Sequence, residues 1–486
     1  MLINLYAVRV TLLALGVVDY GIFNVIASVV CSMSVLTGAM TSASQRFLSF
    51  HLGRNDYDRY SRTFTMLVLS FLALVCIIWV IFESLGSFVV YDWLTIPDGR
   101  REASMWVYHT AILSFTCGLI TIPYTSSIIA NERMDAFAIF SIVEGVLKLA
   151  IAFAIMRYEG DRLIVYGVLY SLISIVVLSM SIVYCNVKFK YCKYTKHLER
   201  NDFKELFSYT GWNLFGSVSG ILATQGHNIL LNIFFGPIVN AAKAIADRIQ
   251  NLILGFSLNV YMAVSPQIIK SYAAENYENA IKLVIVTSKM SFLLIFVVSF
   301  PLLCCMKGIL QIWLADDAGS PDMVSFSRLI LLYCLVASLE PPISRLIQAT
   351  GKIRNYQVLV GCVTLAFIPI SILVLMMNGS AVSTFIVLIA IMVIAHVVRV
   401  VVAHRQVGLA YDTYVKSVVA PIARVLVVGV PLYFVFIEHA WPEGVPMIIV
   451  TTILSAICGL FIAGMLGLDR NDRAVLLQLL KNKVKR

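Results

Sequence analysis

Asn240, Lys243, Asp247 and Asn251 recur at spacings of three and four residues, which puts them on one face of a helix, with Arg248 beside them. Just upstream, Asn213, Ser217, Gly220, Thr224 and His227/Asn228 fall within about 60° of a common direction at about 100° per residue. A cationic stripe suits an anionic group. An amide- and hydroxyl-lined face suits sugar hydroxyls, which need donors and acceptors at once. Both stripes also have blander explanations. Lys243 and Asp247 stand at i,i+4 and can neutralise each other, and Gly216 and Gly220 can serve as small residues at a helix–helix contact. His227 has no second His or Cys at ligand spacing, so it is not read as a metal ligand. This chemistry holds and moves a cargo without breaking a bond, and the chain is not read as an enzyme. A membrane-embedded glycosyltransferase or ligase would need catalytic carboxylates or metal ligands in sizeable outer loops, and these loops are short.

The elements that carry these residues must lie in a membrane. The chain has 486 residues, is 60% hydrophobic and only 13% charged, whereas soluble domains carry about 25% charge. Mean hydropathy is +0.88. Apolar runs at 20–43, 63–91, 106–130, 137–157, 162–186, 206–235, 239–265, 283–306, 326–350, 355–377, 381–403, 414–437 and 445–467 are each long enough to cross, since a span needs about 20 residues. Ahead of them stands MLINLYAVRVTLLALG with Arg9 in its middle, read as the outer part of a first helix whose beginning lies upstream of Met1. A signal peptide would want a basic amino end and a small-residue cleavage site. The fold class expected is therefore an all-α polytopic membrane protein with about 14 transmembrane helices. The ten cysteines sit in apolar runs or basic loops and read as reduced packing residues, with no disulfide framework.

The net charge of +10 comes from basic clusters between apolar runs. These read as topology signals and not as a nucleic-acid surface. Arg46 to Arg62, Arg133, Lys188 to Lys204, Lys270 to Lys289, Arg345 to Arg354, Arg399 to Arg424 and the tail KNKVKR all fall on one side. TIPDGRREAS, LADDAGSPDM and EHAWPEGV on the other carry fewer cations and more acids. The positive-inside rule then puts both termini in the cytoplasm.

Of 37 Lys and Arg, all but Arg9, Lys148, Lys243 and Arg248 read as loop or helix-end residues. A cation inside the bilayer costs about 2.5–3.5 kcal/mol on insertion scales, so it faces a partner or a watery cavity. Lys243 lies about 9 Å and Arg248 about 16 Å below Pro237, and Arg9 about 10 Å from Gly16, at about 1.5 Å per residue. Arg46, at the inner exit of the second span, reads as a topology determinant or a cavity residue. Glu144 and Lys148, four apart, pair most simply with each other. Glu340, ahead of the helix-breaking Pro341-Pro342, is read either as the partner of Arg345 or as a coupling-ion site.

The sequence repeats. At an offset of 220, HLGRNDYDR sits over SYAAENYEN; at an offset of 219, IPYTSSIIANERMDAF sits over PPISRLIQATGKIRNY. An even number of helices per period keeps the orientation, so the expectation is two parallel six-helix lobes. The division is 1–187 for the first lobe, 188–205 for a cytoplasmic basic linker, 206–405 for the second lobe, and 406–486 for two extra helices and a basic tail.

The run from Asn228 to Ala273, with LGVVDYGIFNV and AMTSASQRFLSFHLG, resembles the bacterial polysaccharide flippases of the multidrug/oligosaccharidyl-lipid/polysaccharide (MOP) exporter superfamily. The resemblance implies two six-helix lobes around a central cavity plus two added helices. It also implies a role in moving O-antigen (lipopolysaccharide), capsule or exopolysaccharide repeat units. The related lipid II flippases use cations on helices 1, 2 and 8, which correspond here to Arg9, Arg46 and Lys243. Relatives have a full first helix behind a cytoplasmic stretch, a departure that bears on Arg9.

On this reading the cargo is a polyprenyl-pyrophosphate-linked oligosaccharide. Asn213, Thr224, Asn228, Asn240, Asp247, Arg248 and Asn251 line the cavity alongside the three cations. No cofactor is expected beyond a coupling H+ or Na+. Partners are the lipid-linked oligosaccharide, membrane lipids, and a polysaccharide polymerase and glycosyltransferases of one pathway; nucleic acid is excluded. The runner-up is a cation-coupled multidrug exporter of the same superfamily, which would need a negatively biased lumen. A major-facilitator reading, invited by GRNDYDRYSR, fails because the spacing is off by one and the second glycine is missing.

Overall fold

Pro237 at the first turn and Gly236 immediately before it open one helix, and the same kind of punctuation sets most boundaries of the fold. A computed structural model describes residues 2–31, 34–88, 96–195, 199–314, 321–438 and 445–468. Among these residues the chain is helical and without strands. The helices are α1 (Leu2–Cys31), α2 (Ser34–Gly53), α3 (Tyr57–Ser87), α4 (Arg101–Ala130), α5 (Met134–Met156), α6 (Arg162–Lys188), α7 (Arg200–Phe235), α8 (Pro237–Ala273) and α9 (Tyr277–Leu314). They continue as α10 (Pro321–Ala337), α11 (Glu340–Ala349), α12 (Arg354–Leu365), α13 (Phe367–Met376), α14 (Ala381–Val407), α15 (Tyr411–Tyr414), α16 (Ala420–Glu438) and α17 (Val445–Ile462).

Local chemistry accounts for several of these ends. Asp161 caps α6 by accepting from the backbone N–H of Leu163 and Ile164 at 3.0 and 3.4 Å, satisfying donors that the first turn leaves open. Gly408 closes α14 in the left-handed region, where a Cβ is penalised. Pro341 and Pro342 begin α11 after the Ser338–Leu339 turn, so the tenth span is broken where the ring constraint predicts.

The repeat is visible in the backbone. Gly16 and Gly236 have φ 80 and 81, and Asn55 and Glu275 have φ 55 and 61; both pairs stand at the offset of 220. Glu132 and Gly351, at the offset of 219, have φ 59 and 77. Helix ends follow: α2 and α8 end at Gly53 and Ala273, α3 and α9 start at Tyr57 and Tyr277, and α4 and α11 end at Ala130 and Ala349. Even the caps match, since Asp56 accepts from the Arg59 N–H at 3.0 Å and Asn276 from the Asn279 N–H at 3.1 Å. The symmetry is broken at Pro123, which stays inside an uninterrupted α4, whereas its counterpart Pro342 follows a break.

The number of spans is roughly consistent with the sequence. Ten helices among the described residues are long and apolar enough to cross a membrane, and eleven if α8, bent by 44° between Ile238–Leu258 and Val260–Ala273, counts as one. The runs at 20–43 and 206–235 do not qualify. The first starts in α1 beyond the non-helical Gly16 and contains residues 32–33, which lie outside the described residues, and α7 carries Asn213, Thr224, Gln225, His227 and Asn228 within its apolar stretch.

The chain divides into two compact units, Met1–Leu214 and Phe215–Arg486. In the first, α4 lies against α1, α2, α3, α5 and α6, with Ile26, Phe71, Tyr108 and Ile112 in its buried core. In the second, α9 packs on α8, α10 and α11 and also carries α16 and α17, so the two helices outside the repeat belong to this unit. Val80, Ile142, Val397 and Leu460 are exposed; an apolar surface of this kind is what lipid contact requires.

Candidate functional site

In the second unit α8 turns its polar stripe from the interior outward. Lys243 is 3% exposed, Asp247 is 30% exposed, and Arg248 and Asn251 are exposed. Lys243 Nζ donates to both oxygens of Asp247, at 2.9 and 2.7 Å, so the i,i+4 pair is formed. That uses two of the three ammonium donors; the third has no acceptor among the described residues. One turn away, Asn240 Oδ1 is buried without a hydrogen-bond partner among the described residues. A buried polar atom in that state costs about 1–3 kcal/mol.

The α7 stripe divides. Asn213, at the edge of the first unit, is buried, and its side-chain amide donates to the Ala39 carbonyl at 3.2 Å. Thr224 is exposed and returns its hydroxyl to the Gly220 carbonyl at 3.0 Å, and Asn228 donates to Gln225 Oε1 at 3.2 Å. His227 turns into the core: it is 2% exposed, 2.8 Å from Thr384 Oγ1, and edge-on to Phe367 and Phe385 at 5.1 and 4.9 Å. It leaves the shared face because its ring finds an aromatic pocket and a hydroxyl partner there. The small-residue explanation holds for one glycine only. A Cβ on Gly216 would meet Gln357 Oε1 at 1.9 Å, whereas one on Gly220 would meet nothing within 4 Å.

In the first unit Arg46 is buried and stacks over Phe47, Phe50 and Tyr209 at 4.4, 4.8 and 5.4 Å. Its Nη1 is 3.5 Å from Glu205, which is 63% exposed. Cation–π contacts are worth about 0.5–2 kcal/mol each, so Arg46 anchors α2 to the start of α7. The Arg9 side chain lies outside the described residues. Lys148 donates to Glu144 Oε1 at 2.6 Å and sits over Tyr170 at 5.1 Å.

The structure corrects one expectation about charge. Glu340 pairs with Arg399, Nη2 to Oε1 at 2.7 Å, and not with Arg345; the Pro341-Pro342 break turns α11 so that Glu340 meets α14. Arg345 Nε donates to the Tyr261 hydroxyl at 2.6 Å. Lys289, Arg345 and Arg399 are also buried within the protein, at 3%, 5% and 4% exposure. Sequence position alone had put them at helix ends. Asp19, 8% exposed in its side chain, was missed as well: Arg100 bridges it at 2.8 Å and Asp161 at 2.9 Å. Its signal was a lone acid in an apolar run three residues past Gly16.

Among the described residues, Asp19, Glu144, Asp247 and Glu340 lie within the spans with side chains 8%, 40%, 30% and 35% exposed, and each holds a cation: Asp19 with Arg100, Glu144 with Lys148, Asp247 with Lys243, Glu340 with Arg399. Among the described residues no group of three His, Cys, Asp or Glu is placed to hold a metal ion.

Residues 222–373 match the MatE family model. No curated protein matches the chain. Among solved structures, an outward-facing multidrug resistance MATE family transporter of the MOP superfamily superposes with a TM-score of 0.70 at 13% identity, covering 84% of this chain and 92% of that one. A MOP superfamily transporter from Pyrococcus furiosus, whose binding pocket is described as having reverse polarity suggesting a different function, gives 0.68 at 13% identity over 84% and 93%. A MATE protein in complex with MaL6 gives 0.60 at 13% identity over 95% and 92%. The chain thus has the fold of the MATE transporters and is a multi-pass membrane protein.

Proposed function

We propose that the chain is a MOP-type transporter working by alternating access, and that its cargo is an anionic lipid-linked glycan: a polyprenyl-pyrophosphate oligosaccharide moved from the inner to the outer leaflet. The observation that carries the cargo reading is the charge inventory. Asp19, Glu144, Asp247 and Glu340 are each already neutralised, which leaves little to hold an organic cation. Arg345 is buried with no acid within ion-pair reach among the described residues. The spare Lys243 donor beside the unpartnered Asn240 carbonyl suits a group that offers an acceptor and a donor together, as a glycosyl diphosphate does. In this reading Lys243 attracts the diphosphate, and Thr224, Asn228, Asn240, Asp247, Arg248 and Asn251 of the same unit contribute the polar surroundings. The tail stays in the bilayer.

A second reading is a cation-coupled multidrug exporter. The MatE match and the multidrug transporter among the structural neighbours support it better than they support a flippase. Fold does not choose the cargo, however, and the neighbour described with reverse pocket polarity is an instance within this same fold. Deleting the gene in its host and measuring surface glycan beside susceptibility to cationic dyes separates the two. The flippase reading expects glycan loss with unchanged susceptibility. Intact glycan with raised susceptibility would replace it with the exporter.

A further inference from the structure

Lys188 stands where two cavities of the first unit meet. One, about 460 Å³, is an apolar groove on α5 and α6 lined by Phe140, Met180, Val183, Tyr184 and Val187 before it reaches Lys188. Val183 and Val187 are 61% and 73% exposed, so the groove opens sideways from the helices, toward lipid. The other, about 640 Å³, begins at Lys188 and is lined by Lys190, Lys193, Tyr57, Ser61 and Tyr191, with Asp58 as its one acid. The three lysines are exposed, and none forms an ion pair among the described residues.

The wall of the polar cavity is preformed. Tyr191 stacks on Tyr57 at 5.1 Å and on Phe189 at 6.0 Å, and its hydroxyl donates to Asn131 Oδ1. Burial raises that hydroxyl to about 12, so it remains a neutral donor. Ser61 Oγ donates to the Tyr191 carbonyl at 2.7 Å, and the Thr195 N–H donates to Thr65 Oγ1 at 3.1 Å. The segment after α6 is thereby fastened to α3 and holds its lysines at the mouth of the groove.

An apolar groove running into a lysine-lined pocket framed by tyrosines, at the end of membrane spans, has the polarity profile of one phospholipid. We infer that this is a binding site for an anionic glycerophospholipid, with an acyl chain along α5 and α6 and the phosphate among Lys188, Lys190 and Lys193. The basic loops assign this end to the cytoplasmic leaflet. Three lysines against one aspartate select an anionic headgroup over a zwitterionic one. The site does not depend on the identity of the cargo.

The test uses the purified full chain in detergent, with phosphatidylglycerol, phosphatidylcholine and inorganic phosphate as separate probes. Lipid retained through purification is read by mass spectrometry, and protection by thermal unfolding. The wild type is expected to retain phosphatidylglycerol over phosphatidylcholine by about tenfold or more. Lys188→Gln/Lys190→Gln/Lys193→Gln should lose that preference, and the corresponding triple Arg variant should keep it. Inorganic phosphate should not protect, because it leaves the groove empty. Equal retention of the two lipids by the wild type, unchanged retention by the Gln variant, or full protection by phosphate would each overturn the site.

Discussion

Gly16 and Gly236, separated by 220 residues, hold the same backbone conformation, φ 80 with ψ 167 and φ 81 with ψ −172, each between the first two spans of its repeat. That region is essentially reserved for glycine and costs another residue about 1–3 kcal/mol. A Cβ at either position would meet nothing within 4 Å, so the cost is conformational and not steric. Gly16→Ala and Gly236→Ala are each expected to lower stability by about 1–3 kcal/mol, read as a lower unfolding temperature of the purified protein. Gly220→Ala, on an ordinary helix with open space around it, is expected to leave that temperature within error or raise it slightly.

Glu340 and Arg399 join α11 to α14 through the second unit. Removing one partner of a fully buried pair costs about 3–5 kcal/mol, and less is expected here because Glu340 is 35% exposed. Glu340→Gln should therefore destabilise more than Glu340→Gln/Arg399→Met, in which no charge is stranded. The comparison is made by thermal unfolding at matched detergent. Equal losses in the single and double variants would show that the pair contributes little.

Orientation is tested by cysteine labelling with an impermeant reagent in a background freed of the ten native cysteines. Cysteines placed in LADDAGSPDM or EHAWPEGV should label in intact cells, and those placed between Lys188 and Lys204 only after the cells are opened. The opposite pattern would reverse the topology.

The repeat was legible because it is written in polar turns: the residues after Gly53 and after Ala273 carry the same caps and the same left-handed position at Asn55 and Glu275. Helix ends could be transferred from one lobe to the other almost residue for residue. Lys243–Asp247 and Glu144–Lys148 were legible for a similar reason, since i,i+4 partners are local. Glu340–Arg399 was not. Its members are 59 residues apart on different helices, and counting residues from a helix end cannot tell a snorkelling arginine from one turned into the bundle.

The most direct test concerns Lys243, which the account assigns to an anionic cargo although it is already paired with Asp247. Surface glycan is measured in a strain relying on this gene, at matched protein levels, for Lys243→Gln, Asp247→Asn and the double variant, with Lys243→Arg and Lys243→Glu alongside. Charge should matter more than shape, so Lys243→Arg keeps much of the activity, while Lys243→Glu abolishes it by setting an anion against a diphosphate. The account predicts that Lys243→Gln loses glycan display and that the double variant stays equally impaired, because the cargo and not Asp247 needs the ammonium. Full display by the double variant would contradict it and leave Lys243 a neutralising partner of Asp247.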